Sequence, residues 1–409
     1  MFRSLFTRFP LGSVCLLVFS TGLFAAPADK LWGDWLQNQI DQHPEVIAAK
    51  EKMNAAYSTA EGRQKPLYNP ELETEFEREG DADNYTVGVY QTVDWWDKRG
   101  IRSKQANFVR VAAFQTFELV WQQKLADALN SIVEWQAASK QSELAIQQEA
   151  QMEILISLIR DRQKAGDLSQ VDAELALLNF SQKLNQTAHA QVRLRRVAAK
   201  LRELLPDWSA KQTEIPAELW AQTFSRSDAQ WVDKHPMVAT AKARWETLRK
   251  SAKLAGLDAK AEPTFGINAG KAGEDNVVAL SFSMPLNIRN NFSADVQAAN
   301  QEALSSESLY RAIRRKQLFA IEASRASLEE FQQRYERLKN LMRGRGERSE
   351  TLLEKQWRSG DLSTTEYLLA LQQRSDGLVA GIELQTQYRL ARIDWLFQTG
   401  QLNRLLKQL

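Results

Sequence analysis

Two kinds of hydrophobic periodicity alternate along the chain, and each occurs twice. Phe114, Phe117, Trp121, Leu125, Leu129, Ile132 and Trp135 recur every three or four residues, the spacing of one face of a helix. Leu328, Phe331, Tyr335, Leu338 and Met342 step in the same way. Heptad-like seams of this kind are what helices packed side by side require. The first predicts a helix over 98–164, about 100 Å long at ~1.5 Å per residue. A compact globule needs no such element, and taken alone it would fit a coiled-coil rod. The second predicts a helix over 290–358. Gly344 and Gly346 interrupt it, each costing about 1 kcal/mol against alanine inside a helix.

Between the helical stretches the period drops to two. Tyr85, Val87, Val89, Gln91, Val93 and Trp95 alternate with Thr86, Gly88, Tyr90, Thr92 and Asp94. Val278, Leu280, Phe282, Met284 and Leu286 alternate with Ala279, Ser281 and Ser283, and Phe265, Ile267 and Ala269 with Gly266, Asn268 and Gly270. Alternation over about ten residues with aromatics near the ends is the weak signature of a membrane barrel strand. A soluble sheet buried on one face would alternate too. Polar stretches at 79–84 and 270–276 join the strands into two hairpins. Backbone groups facing lipid must all be paired, and barrels need at least about eight strands. Four strands must therefore be completed by other subunits.

The first strand carries Glu71, Glu73, Glu75 and Glu77 on one face, with Leu72, Thr74 and Phe76 on the other. Lipid will not accept four carboxylates, so that face should line the lumen. In an oligomer it would stack into acidic rings that favour cations; equally, it would keep a pore wet. Trp95 and Trp96 suit the aromatic girdle at the membrane interface.

The chain is also duplicated. Asp41-Gln-His-Pro-Glu-Val-Ile-Ala-Ala-Lys50 returns as Asp233-Lys-His-Pro-Met-Val-Ala-Thr-Ala-Lys242 at an offset of 192, and Ala165-Gly-Asp-Leu-Ser-Gln170 returns as Ser359-Gly-Asp-Leu-Ser-Thr364 at an offset of 194. Two matches at nearly one offset mark an internal repeat. The organisation expected is a first repeat over 29–205, with a helix, a β-hairpin over 67–96, the long helix and a return helix over 168–205. A linker over 206–227 follows. The second repeat, 228–409, has a helix over 233–259, a β-hairpin over 262–287, the long helix over 290–358 and a return helix over 362–405.

The N-terminus sets the compartment. Arg3 and Arg8, an apolar run from Leu11 to Phe24 and the small residues Ala25-Ala26-Pro27-Ala28 have the anatomy of a secretory signal peptide, expected over 1–28. Cys15 is the sole cysteine and lies inside that run, so the exported chain has no thiol for disulfides, metal or nucleophilic catalysis. Loss of Arg3 and Arg8 takes the 53 basic residues to 51, against 51 acidic. No basic field remains to hold nucleic acid. His43, His189 and His235 are scattered, two of them before prolines at helix starts, which favours a structural use over metal ligation. Neither a phosphate loop nor a nucleophile motif occurs, so no enzyme, metal site or cofactor is expected.

Across the exported sequence these features resemble the TolC family of outer-membrane factors. The heavy-metal cation branch is the nearest, on Asn69-Pro-Glu-Leu72, Gln91-Thr-Val-Asp-Trp-Trp-Asp-Lys-Arg-Gly-Ile-Arg102 and Ser283-Met-Pro-Leu286. The resemblance implies a mainly α chain with a transmembrane β part. Its four strands would form a third of a twelve-stranded barrel in a homotrimer, and its helices a periplasmic tunnel. It implies an exit duct of a tripartite efflux system for heavy-metal cations, working with a periplasmic adaptor (membrane fusion) protein and an inner-membrane RND-type pump. The tips that dock the adaptor would be Gly166, Asp167, Leu168 and Ser169 with Gly360, Asp361, Leu362 and Ser363. Asp172 and Glu366 would face the periplasmic aperture. A periplasmic coiled-coil adaptor or scaffold is the competing assignment, and ducts for drugs or type I secretion share the architecture.

Overall fold

The computed structural model describes residues 28–166, 168–209, 214–221, 229–342 and 346–406. The expected signal peptide, apart from Ala28, lies outside the described residues, as do Asp167 and Gly344. Helix α1 (Ala28–Asp41) leads into α2 (Pro44–Gln64), followed by strands β1 (Glu71–Glu79) and β2 (Ala82–Thr92). Then come α3 (Lys98–Lys164), the return helix α4 (Gln170–Leu204) and two one-turn helices, α5 (Glu218–Ala221) and α6 (Ala229–Val232). The second repeat runs through α7 (Pro236–Asp258), β3 (Thr264–Ala272), β4 (Asp275–Ser283) and α8 (Ser293–Met342). It closes with α9 (Gly346–Arg358), α10 (Thr364–Gln398) and α11 (Leu402–Leu406).

Duplication is visible in the backbone devices. His43 and His235 each cap a helix whose first residue is proline, and the ring Nδ1 of each accepts a backbone N–H at 3.2 Å. Proline at that position loses no intrahelical bond. Asp97 and Phe292, the residues before α3 and α8, both stand at φ 55°, and among the described residues they are the two non-glycines with positive φ. Gly166 and Gly360, at φ 82° and 84°, end α3 and α9 in the left-handed conformation that glycine adopts without penalty.

The four strands form one antiparallel sheet in the order β1-β2-β3-β4. Its turns are tighter than the polar stretches suggest: Glu79 pairs with Ala82 and Ala272 with Asp275. Two residues suffice because Gly80 and Gly273, at φ 63° and 61°, supply the positive φ that a glycine-first hairpin turn requires. Gly273 N–H donates to Asn84 Oδ1 at 2.9 Å and ties the two turns together.

Packing divides the helices into separate cores. Midway along α3, Trp121, Leu125, Leu129 and Ile132 meet Leu36 and Ile40 of α1, Leu201 of α4 and Ile393 and Leu396 of α10. A distal core joins Met152, Ile156 and Ile159 of α3 to Ala173, Ala176, Trp357, Tyr367 and Leu368. Val232, Val238 and Ile321 form a third, smaller one. Between the first two lies a polar layer. Lys183 Nζ donates to Gln148 and Gln186, each at 2.9 Å, beside a cavity of about 50 Å³. Burial lowers the Lys183 pKa, because its charged form loses hydration there.

Candidate functional site

Cross-strand partners share a face, so the register sorts the sheet into rows. One face carries Leu72–Val89–Ile267–Leu280 and Thr74–Val87–Ala269–Val278, with Phe265 and Phe282 beside Gln91. These apolar side chains are solvent-facing; Leu72 is 72% and Leu280 84% exposed. An exposed apolar face of this extent on a soluble monomer signals a missing partner or a membrane. The opposite face carries Glu71–Tyr90–Gly266–Ser281, Glu73–Gly88–Asn268–Ala279 and Glu75–Thr86–Gly270–Val277. All four glutamates, with Glu77 opposite Asn84, stand on it. The exceptions are Val277 on the polar face and, on the apolar one, Thr74, Gln91, Lys271, Asn276 and the Arg78–Asp83 pair near the turns. Strands of nine residues span ~30 Å, close to a bilayer's hydrocarbon thickness. Both outer strands, β1 and β4, have one unpaired edge.

At the foot of the sheet, Trp95 and Trp96 are exposed. Trp96 Nε1 donates to the Ala261 carbonyl at 2.9 Å, and the Lys260 ammonium lies 4.3 Å from its ring centre. Asp94 accepts from the backbone N–H groups of Lys98 and Arg99, both at 2.7 Å, and Asp97 from Gly100 at 3.1 Å. Two carboxylates thus satisfy the orphan donors that open α3. Gly100 fits because a Cβ there would stand 2.3 Å from Asp97 Oδ2. Lys98 is buried and paired with Glu262 at 3.3 Å and Asp258 at 3.4 Å, while Tyr68 donates its hydroxyl to Glu262. This cluster locks the first repeat to the second where sheet meets helices. Sequence reasoning missed it, since its members lie far apart in the chain.

At the other end of the molecule the two hairpin tips come together. Ser169 and Ser363 cap α4 and α10, accepting from the N–H groups of Asp172 at 3.1 Å and Glu366 at 3.3 Å. Glu366 returns the bond by accepting from Ser363 N–H at 2.9 Å, a complete capping box. The Ser363 hydroxyl and N–H hold the Glu366 pKa below the usual carboxylate range. Asp172 instead accepts from Thr365 Oγ1 of the other hairpin at 3.0 Å. Both acids therefore serve caps, whatever they present to an aperture.

Leu168 and Leu362 are half-buried against the distal core, so they offer a partner less apolar surface than their place in the turns suggests. Exposed apolar residues nearby include Val171, Leu175, Leu178, Leu352 and Leu369. Their helical spacing was visible in the sequence, but which face they occupy follows from packing. Trp357 stacks on Tyr367 at 5.0 Å with the Arg162 guanidinium 4.7 Å from its ring, bridging the hairpins. Gly360 and Asp361 are exposed, as is Gly166. Among the described residues no three His, Cys, Asp or Glu side chains assemble as a metal site, and no helix is long and apolar enough to cross a membrane.

No protein-family model and no curated protein matches the sequence. Solved structures do match. The outer-membrane channel OprN superposes with a TM-score of 0.76 over 90% of this chain and 90% of that chain, at 12% identity. The outer membrane protein VceC from Vibrio cholerae gives 0.73 at 13% identity, covering 92% of this chain and 99% of that one. CusC, whose structures concern folding and transmembrane channel formation, gives 0.72 at 12% identity, covering 92% and 95%. The chain has the TolC-like fold of these outer-membrane proteins.

Proposed function

We propose that the chain is one of three identical subunits of an outer-membrane exit duct, exported by its leader and serving a tripartite efflux system. The observation that carries this reading is the open sheet: four strands, two free edges, one exposed apolar face and one polar face. In lipid such a sheet leaves unpaired backbone groups on β1 and β4, each costing several kcal/mol, so it must close through copies of itself. Three copies give twelve strands with the glutamates inside. The helices then extend the tunnel into the periplasm, where the two tips meet an adaptor that links the duct to an inner-membrane pump of the RND type. The duct itself is passive. A periplasmic scaffold accounts for the helices but not for an apolar sheet face turned outward.

Purified protein should form trimers that conduct ions in planar bilayers; a soluble, non-conducting monomer in detergent-free buffer sinks the reading. The four glutamates bias the lumen toward cations, and with the branch resemblance they favour heavy-metal cations as cargo. Replacing Glu71, Glu73, Glu75 and Glu77 by glutamine should lower the cation-to-anion permeability ratio several-fold at low salt, where screening is weak. Deletion of the gene should sensitise cells to metal cations; sensitisation to drugs alone would reassign the cargo.

A further inference from the structure

The polar face of the sheet holds an aromatic ring laid flat over two glycines. Tyr90 stands in one row with Glu71, Gly266 and Ser281. A Cβ built on Gly266 would lie 2.3 Å from Ser281 Oγ, 2.5 Å from Tyr90 Cδ1 and 2.6 Å from Cε1, and one on Gly88 would lie 3.0 Å from Tyr90 Cε2. The ring therefore occupies space that any other residue at Gly266 would fill. Gly88 likewise admits the Asn268 amide, whose Oδ1 would be 2.5 Å from an added Cβ. Asn268 Oδ1 and Ser281 Oγ, beside these glycines, are buried and make no hydrogen bond. Solvating them would favour lifting the ring, so what keeps it down is the room the glycines leave.

We propose that Tyr90 sets the bore of the duct, with Gly88 and Gly266 as the recess that parks its ring against the wall. The inference rests on the duct reading, in which this face lines the lumen. Twelve strands ~4.8 Å apart and tilted ~40° enclose a backbone cylinder of radius about 12 Å. A tyrosine side chain reaches about 6 Å, so three rings turned inward would obstruct much of the opening, and three rings laid flat leave it clear.

Single-channel conductance tests this directly. Gly266→Val should lower it roughly two-fold, and the loss should vanish in a Tyr90→Ala background. A Gly266→Val trimer that conducts like the parent, or that loses equally in both backgrounds, overturns the proposal. Should Gly266→Val fail to assemble, thiol labelling decides. In a Cys15→Ser chain, which has no other cysteine, Ser281→Cys should react slowly with a charged methanethiosulfonate. Adding Tyr90→Ala should speed the reaction at least about ten-fold, and equal rates overturn the proposal. A parent protein that forms no conducting trimer counts against the duct, while the labelling rates still decide whether the ring covers the wall.

Discussion

Strands β1 and β3 open the hairpins of the two repeats, run nine residues each and end in the same glycine-first turn. On the polar face they carry opposite side chains. Where β1 has Glu71, Glu73, Glu75 and Glu77, β3 has Thr264, Gly266, Asn268 and Gly270. The difference follows the neighbours each strand has within the chain. β1 pairs with β2 alone, whereas β3 is flanked by β2 and β4 and lies under Tyr90. Duplication fixed the backbone path and left the side chains to adapt to their neighbours.

Exchanging the paired residues should break that comparison most severely. A Cβ on Gly270 would stand 1.9 Å from the Tyr85 carbonyl oxygen and 2.8 Å from Thr86 Cα, both backbone atoms. Gly270→Glu, which copies β1 into β3, should cost more than about 4 kcal/mol and abolish assembled protein. The reverse change, Glu77→Gly, should cost about 1 kcal/mol. Yields of heat-resistant oligomer and urea midpoints would show the asymmetry. An assembled Gly270→Glu protein would mean that β2 and β3 do not approach so closely.

The tips differ in the same spirit. In the second hairpin Trp357 is buried against Tyr367 and Thr364; at the matching place in the first, Gln163 is exposed. Trp357→Ala should cost about 3–4 kcal/mol, against less than about 0.5 kcal/mol for Gln163→Ala. Faster proteolysis confined to the tips of the tryptophan variant would locate the loss in the distal core.

These contrasts show what was legible in the sequence. Period-two and heptad spacings are local, so they located the strands and long helices, and the repeated motifs exposed the duplication. Gly166 and Gly360 were readable because a helix ending in positive φ favours glycine. The hairpin turns were drawn too long, since polarity marks a loop without saying how few residues it needs. Lys98, Glu262 and Tyr68 stayed hidden because their pairing depends on bringing two copies together. Leu168 and Leu362 were offered to a partner, yet half-bury in the distal core, a matter of helix rotation that no turn motif encodes.

The capping histidines sharpen the comparison further. His235 is 1% exposed and lies edge-on to Phe397 at 6.1 Å. Burial pulls its pKa down to about 4, against about 6.5 for an unfolded chain. The folded state therefore binds the proton less readily, and stability is lost as pH falls through about 6.5 to about 4, then levels off. The full loss is about 3 kcal/mol. His235→Asn keeps a capping side chain and should flatten this part of the stability profile, measured as the urea midpoint between pH 7 and pH 4. The same change at His43 gives the control at a half-buried cap. Equal profiles for the parent and His235→Asn would show that the buried ring does not drive the loss.

The smallest effect separates the two acids at the tips. Glu366 reaches back to the N–H of its own cap, so its contribution stays inside α10. Asp172 is one methylene shorter, and its second oxygen goes to Thr365 on the neighbouring hairpin instead. Losing either bond should raise local opening a few-fold. Asp172→Ala should therefore raise amide exchange in the first turns of both α4 and α10, because the link between hairpins is lost along with a cap. Glu366→Ala should raise it in α10 alone. Were both variants to loosen only their own helix, Asp172 would be a cap like its counterpart. Among the described residues the tips would then be tied chiefly by packing around Trp357.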